Sequence, residues 1–282
     1  MAHEGIPADQ GRDLPLSVVS IDGVPAINAK DALDYIHAVM LSNMARAAGF
    51  ALLGNRIQKV LPALDLPPPD VVVHFQAERL KHEAARFENW CIQYSLVSMI
   101  SACERYLRDV SVLVCLVMEQ SGSGGRIQRA AVTRICNEAE KDTSGLWKLL
   151  TNLFAALGRP ETVIEGRGRF TSLDKIRNCI IHRRGVVGDL DVGKNGMLEA
   201  AWRKTTMTDP DGQIVTSLPF KAEKGGEFSV TVTEQKRSWK KGEQIALSVQ
   251  DCQDMAFTLA EFCSQVQDQV ANRLRDLLTK GA

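Results

Sequence analysis

The sequence predicts a mainly α protein, a helical bundle with a small antiparallel β-sheet inserted before its last helix. Three observations lead there. Apolar residues recur at three-and-four spacing over most of the chain. Between about residues 196 and 249 that period gives way to alternation broken by the turn signals "DPDG", "EKGGE" and "KKGE". The helical period returns at about Asp251 and runs close to the C-terminus. With 282 residues, 45% hydrophobic and 24% charged, the chain has ordinary globular composition and is long enough to bury a core.

Taken in order, residues 1 to 28 read as irregular, with "LPLSVVSIDG" as a short strand closing on a turn at Asp22-Gly23. A helix is expected from about Ala29 to Leu61, with Leu33, Ile36, His37, Met40, Leu41 and Met44 on one face and weak points at Gly49 and Gly54. The four prolines of "LPALDLPPPD" then make a stiff linker. Residues 1–70 are therefore a helical extension with a Pro-rich linker, and residues 71–282 are the main domain. A long helical pattern, one bent helix or two, runs from about Val73 to Glu119 with Leu80, Ala84, Phe87, Cys91, Tyr94, Val97, Ile100, Leu107 and Val110 on its apolar face. After "SGSGG" a helix from about Ile127 to Leu157, broken near Gly145, ends before Gly158 and Pro160. The next helix carries "IRNCIIHRRG", with Thr171 as N-cap, Asp174 completing a variant capping box, and Gly185 as C′ residue. Three or four strands are expected from about 196 to 249, drawn from "LEAAWRKT", "GQIVTSLPF", "EFSVTVTEQ" and "EQIALSV". A final helix from about Asp251 to Thr279 buries Met255, Leu259, Phe262, Val266, Val270, Leu274 and Leu277.

Net charge is zero, so any polyanion must be held by a local patch. The seven cysteines are odd in number and hold no CxxC pair, which reads as free, buried thiols in a reducing compartment. They and the five histidines lack ligand spacing, so neither metal nor cofactor is expected. The N-terminus lacks a basic start followed by an apolar run, and no stretch reads as about 18 apolar residues, so no signal peptide, no membrane contact and a cytoplasmic location are expected.

The chemistry concentrates in "IRNCIIHRRG". Asn178 and His182 are four apart, on one helical face. Arg177 and His182 are five apart, about 140° around the axis, so they do not simply point together. Two antiparallel copies across a two-fold axis would bring Arg177 of one chain toward His182 of the other. From Glu165 to Arg184, Arg167, Arg169, Lys175, Arg177, Arg183 and Arg184 face only Glu165 and Asp174, a local excess of four positive charges suited to a phosphate backbone. Histidine exchanges protons near neutral pH, arginine offers a fixed cationic fork, and asparagine can orient the imidazole. With the 2′-hydroxyl of RNA as nucleophile, Arg177, Asn178 and His182 are enough parts for cleavage without a metal.

"RNCIIH" resembles the R-x4-6-H motif of the HEPN superfamily, in which a polar residue typically follows the arginine. The early helix with "ISACERYLRDV", the later "IRNCIIHRRG" and the closing amphipathic helix extend that resemblance over roughly residues 74 to 280. Many HEPN proteins are metal-independent, dimeric endoribonucleases, often toxins or phage-defence effectors. The resemblance implies that Arg177 and His182 are catalytic and that Asn178 assists. It also implies an RNA substrate, a homodimer, and an antitoxin or regulatory partner. Glu104 aligns loosely with an acidic position on the early helix and is carried over as a supporting residue.

Plainer readings stand beside this one. His182 suits a helix C-terminus with no other role, and Arg183 and Arg184 read first as a solvated helix end and second as RNA ligands. "EGRGRF" is a surface loop or a phosphate-contacting one. Trp202 and Trp239 are read as packing between sheet and bundle ahead of base stacking, and His74 and His82 as surface residues. "GVVGDLDVGKNG" lacks Walker spacing and reads as a loop. A non-catalytic HEPN module that dimerises or binds RNA is the alternative function.

Overall fold

The computed structural model describes residues 18–21, 24–60, 77–123, 125–142, 144–159, 164–209, 211–214 and 229–280. The Pro-rich linker, His74, the Asp22-Gly23 turn, "EKGGE" and most of "GQIVTSLPF" lie outside the described residues, as does the side chain of His82. The described elements are β1 (Val18–Ile21), β2 (Val24–Asn28), α1 (Ala29–Val60), α2 (Ala77–Gly122), α3 (Arg129–Lys141), α4 (Leu146–Ala156), α5 (Arg167–Arg183), β3 (Met197–Thr208), β4 (Ser229–Lys240) and α6 (Val249–Lys280). The protein is mainly helical, and its strands form two antiparallel pairs, β1 with β2 and β3 with β4.

α2 is one continuous helix of 46 residues and the centre of the bundle. Its buried line runs through Ile92, Leu96, Met99, Cys103, Leu107, Val110, Val114 and Val117, the three-and-four spacing of a face enclosed by neighbours. Phe87 and Tyr94, expected on that face, lie outside it. They are exposed and join Trp90 and Phe50 in a chain of aromatic contacts with ring centroids 5.5–5.8 Å apart. Phe87, Trp90 and Tyr94 share one face at 3.6-residue spacing, away from the stripe through Ile92, Leu96 and Met99, with buried Cys91 and Ser95 lying between the two faces.

α1 runs through both of its glycines. Gly54 is a contact point: a Cβ there would lie 2.5 Å from Cys91 Cβ and 2.8 Å from its Sγ, so α1 and α2 approach backbone to side chain. Ala29–Arg56 is long and apolar enough, by length and composition, to cross a membrane. It packs on α2 and α6 through Leu33, Met40, Met44 and Ala51, and leaves Tyr35, Val39, Leu41, Leu52 and Leu53 exposed.

α3 and α4 are separated at residues 142–145, near the expected break. α6 buries Met255, Leu259, Phe262, Val266, Val270 and Leu274, six of the seven residues predicted for its face. Among the described residues the β-insert holds one sheet of two long strands where three or four strands were expected, and most of the "GQIVTSLPF" candidate lies outside those residues. β3 and β4 pair in unbroken register from Met197↔Lys240 to Thr208↔Ser229. "EQIALSV" is not a strand; Gln244 makes only an isolated bridge to Val186 before α6 begins. The core end of this ribbon is set by Leu198, Ala200 and Trp202, buried against α5 and α6. Beyond Trp202 neither face of β3 is fully buried.

Candidate functional site

α5 positions the motif. It starts at Arg167, a turn before Thr171, because Gly166 adopts φ 88° and closes the chain into the helix there. Thr171 is therefore inside the helix, its hydroxyl donating to the Arg167 carbonyl at 2.9 Å, and the expected capping box with Asp174 does not form. The extra turn carries Phe170, which with Leu173, Ile176 and Cys179 forms the buried side of the helix and stacks on Phe262 of α6. Arg177 follows Ile176 at the edge of that side, and Ile181 and His182 face solvent.

Arg177 reaches across to α2. Its Nη2 donates to Glu104 Oε2 at 3.1 Å and its Nη1 to Asn178 Oδ1 at 3.0 Å, while Asp174 Oδ1 stands 3.9 Å from Nη1. The Arg177 side chain is 21% exposed and that of Glu104 8%. Burial pushes the carboxyls of both Glu104 and Asp174 above their ordinary range, and the guanidinium between them pulls each partly back. Asp174 Oδ1 and Arg177 Nε are buried with no hydrogen-bond partner. The result is one cation between two reluctant acids. A guanidinium has five N–H donors, so these two hydrogen bonds leave one N–H on each Nη without a hydrogen bond among the described residues.

The structure thus brings together Arg177, Asn178 and Glu104, the last of which the resemblance carried over only as support. It does not bring His182 to them. Asn178, expected to orient the imidazole, instead accepts from Arg177, because the guanidinium that leans toward Glu104 passes its amide first. No hydrogen bond or ring contact of His182 occurs among the described residues, and its side chain is exposed at the helix end.

That end is held firmly. Arg183, read as solvated or RNA-facing, forms a forked pair with Asp191: Nε donates to Oδ2 at 2.6 Å and Nη2 to Oδ1. Asp191 is 4% exposed and also accepts from the Gly188 amide at 2.8 Å. Burial opposes its charge, but Arg183 and that amide prevail and hold the carboxyl below its usual range. Arg184 is exposed at φ 54°, the one non-glycine residue with positive φ among those described, a conformation costing an L-residue about 1–2 kcal/mol. Gly185 follows at φ 78°, as expected for C′, with its amide donating to the Cys179 carbonyl at 3.2 Å. A Cβ on Gly185 would meet Gln244 Nε2 at 2.6 Å and Gln93 Nε2 at 2.8 Å. The Ile245 amide donates to the Gly185 carbonyl at 2.7 Å and the Val187 amide to Glu243 at 2.9 Å, which ties the end of the motif helix to the end of the ribbon.

The remaining predicted cations, Arg167, Arg169 and Lys175, gather elsewhere. They line a groove of 970 Å³ between the start of α5 and the β3–β4 ribbon. Arg167 lies over the Trp147 ring at 4.6 Å, and Arg169 faces Glu234 at 3.6 Å. Trp202 and Trp239 are both buried, so they pack the ribbon to the bundle as read.

Sequence reasoning missed Asp191, Asp174 as a neighbour of Arg177, and the β4 side of the groove. Asp191 sits in a glycine-rich loop where any acid looks solvated, and only the fold turns that loop back on Arg183. Asp174 was signalled, lying three residues before Arg177 on the same helical side. All seven cysteines are free, five of them buried. Among the described residues no group of three or more His, Cys, Asp or Glu side chains is placed to hold a metal ion. Compared with protein-family models, curated proteins and solved structures, the chain matches none.

Proposed function

We propose that the protein is a metal-independent endoribonuclease of HEPN type, acting as a homodimer with a composite site, in the manner of a toxin or phage-defence effector. The observation that carries this reading is the Arg177–Glu104–Asn178 cluster: the arginine of the motif is held in place, part exposed, with donors to spare. Arg177 would grip the scissile phosphate. His182, solvent-facing five residues on, would exchange the proton of the 2′-hydroxyl as that oxygen attacks phosphorus. The P–O5′ bond breaks, the leaving oxygen takes a proton, and a 2′,3′-cyclic phosphate and a 5′-hydroxyl result. A second copy across a two-fold axis would supply the imidazole that Arg177 lacks within its own chain.

The test is cleavage of RNA by the purified protein in excess EDTA, beside Arg177→Ala and His182→Ala variants checked for folding. The expected result is cutting by the wild type and loss of cutting in both variants. Unchanged cleavage by His182→Ala overturns the assignment.

A second reading has its own observation. Arg177 is already neutralised by a buried acid, as a purely structural arginine is. On that reading the bundle is a non-catalytic HEPN module that dimerises or binds RNA beside a regulatory partner. RNA binding without cleavage, unaffected by loss of Arg177 and His182, would favour it.

A further inference from the structure

The groove between α5 and the ribbon has features that the motif does not explain. Five cationic side chains line it: Arg167, Arg169 and Lys175 from α5, and Lys236 and Arg237 from β4. The acids that line it are Glu199 and Glu234. Arg237 is committed elsewhere, to Asp251 at 2.9 Å. Glu199 accepts from Asn195 at 2.7 Å. Lys175 is exposed and has no ionic partner among the described residues, and Arg167 has only the Trp147 ring. The telling residue is Glu234. Its carboxylate lies between two cations from opposite walls, 2.8 Å from Lys236 Nζ and 3.6 Å from Arg169 Nη1. It is 43% exposed at the groove mouth, and Lys236 and Arg169 hold it below the usual carboxylate range.

One anionic group thus bridges α5 and β4 where two cations converge. A phosphate presents the same oxygens with more charge and can take that position. Lys175 then offers a further contact about one and two-thirds turns along α5 from Arg169, about 9 Å of rise, and His182 lies about 10 Å beyond Lys175. A strand in the groove therefore runs toward the motif.

We propose that this groove seats the sugar-phosphate backbone of the RNA strand, and that Glu234 is an internal occupant which a phosphate displaces from between Arg169 and Lys236. The proposal rests on the endoribonuclease reading for its ligand, but it concerns binding and stands on residues outside the motif. The ribbon becomes one wall of the substrate path, and strand entry costs the Glu234 bridge.

The experiment uses the full chain carrying His182→Ala, so that RNA is not consumed, and a fluorescein-labelled oligouridine followed by anisotropy over a salt series. Lys175→Gln and Lys236→Gln are each expected to weaken binding about three- to tenfold and to flatten the log–log salt slope by about 0.7, the loss of one contact to a single strand. Glu234→Gln is expected to tighten binding about threefold, whereas Glu138→Gln, the same charge change on α3, leaves it unaltered. Unchanged affinity in both lysine variants overturns the groove as the seat, with cleavage by the wild type still free to stand. Equal effects of Glu234→Gln and Glu138→Gln overturn the displacement. Polyglutamate competing as well as RNA, with the same response to Glu234→Gln, would reassign the groove to an acidic protein segment. If Lys175→Gln and Lys236→Gln weaken binding while wild-type protein never cuts, the groove stands and the nuclease reading falls.

Discussion

Replacing Arg177 by methionine keeps the volume at the α2–α5 contact and removes the charge between Glu104 and Asp174. Breaking a fully enclosed pair from one side costs about 3–5 kcal/mol. Here Arg177 is 21% exposed and Glu104 8%, so the loss is scaled down to about 2–3 kcal/mol at about pH 8. The pH dependence has a definite sign. Glu104 and Asp174 fold with carboxyls already raised above the ordinary 4.5 and 3.8. Such groups stabilise below the ordinary value and lose that contribution as pH rises through the folded value. Arg177 lowers both, so its removal raises them further and shifts that loss upward in pH. Arg177→Met is therefore expected to be far less damaging at about pH 5, costing about 1 kcal/mol, because the acids take up protons. Urea unfolding at both pH values reads this directly. With a slope of about 3 kcal/mol/M, the midpoint falls by about 0.8 M at the higher pH. Adding Glu104→Gln should recover about 1–2 kcal/mol of the loss. A loss that ignores pH, or a double variant equal to the sum of the singles within about 0.5 kcal/mol, would refute the idea that Arg177 is held by buried acids.

Gly185→Ala forces a left-handed alanine against Gln93 and Gln244, and a loss of about 2 kcal/mol is expected in urea unfolding. Gly54→Ala pushes a methyl into Cys91 and should cost about 1–2 kcal/mol despite alanine's better helix propensity. Asp191 folds with its carboxyl below the ordinary 3.8, so its contribution is present above that value and lost as pH falls through the folded one. Asp191→Asn should cost about 1–2 kcal/mol near neutrality, and acid titration of wild type and variant should converge as pH falls below about 3.8.

Where one period holds without interruption, the fold was legible in the residues. α6 follows its predicted face because seven apolar positions at three-and-four spacing admit one buried side. α2 shows the limit: over 46 residues more than one stripe is apolar, and which is covered depends on what packs there. Phe87 and Tyr94 thus looked like core and lie outside it. "EQIALSV" was over-read as a strand because its apolar, partly β-branched composition suits one, while among the described residues it makes one isolated bridge, at Gln244. At the site, Arg177, Asn178 and Glu104 could be proposed from local pattern and resemblance. Asp191 and Glu234 could not, since each gains its meaning from a partner brought near by tertiary folding, Arg183 across a loop and Arg169 across the groove, and Lys236 matters only through Glu234 two residues before it. Helical angle did anticipate that Arg177 and His182 would not meet within one chain.

The bridge between Val186 and Gln244 closes the β-insert at its base, like a drawstring. The chain leaves the end of α5 and returns beside it ahead of α6, held there by this bridge and by the Gly185–Ile245 and Val187–Glu243 hydrogen bonds. Among its described residues, the buried side chains of the insert, Val187, Asp191, Leu198, Ala200, Trp202 and Trp239, all lie at the base and the inner half of the ribbon. The outer part of β3 and β4 is therefore a place where engineers can lengthen, shorten or exchange the hairpin without resetting the helices beneath it, and where a loop can be grafted onto an unchanged helical frame.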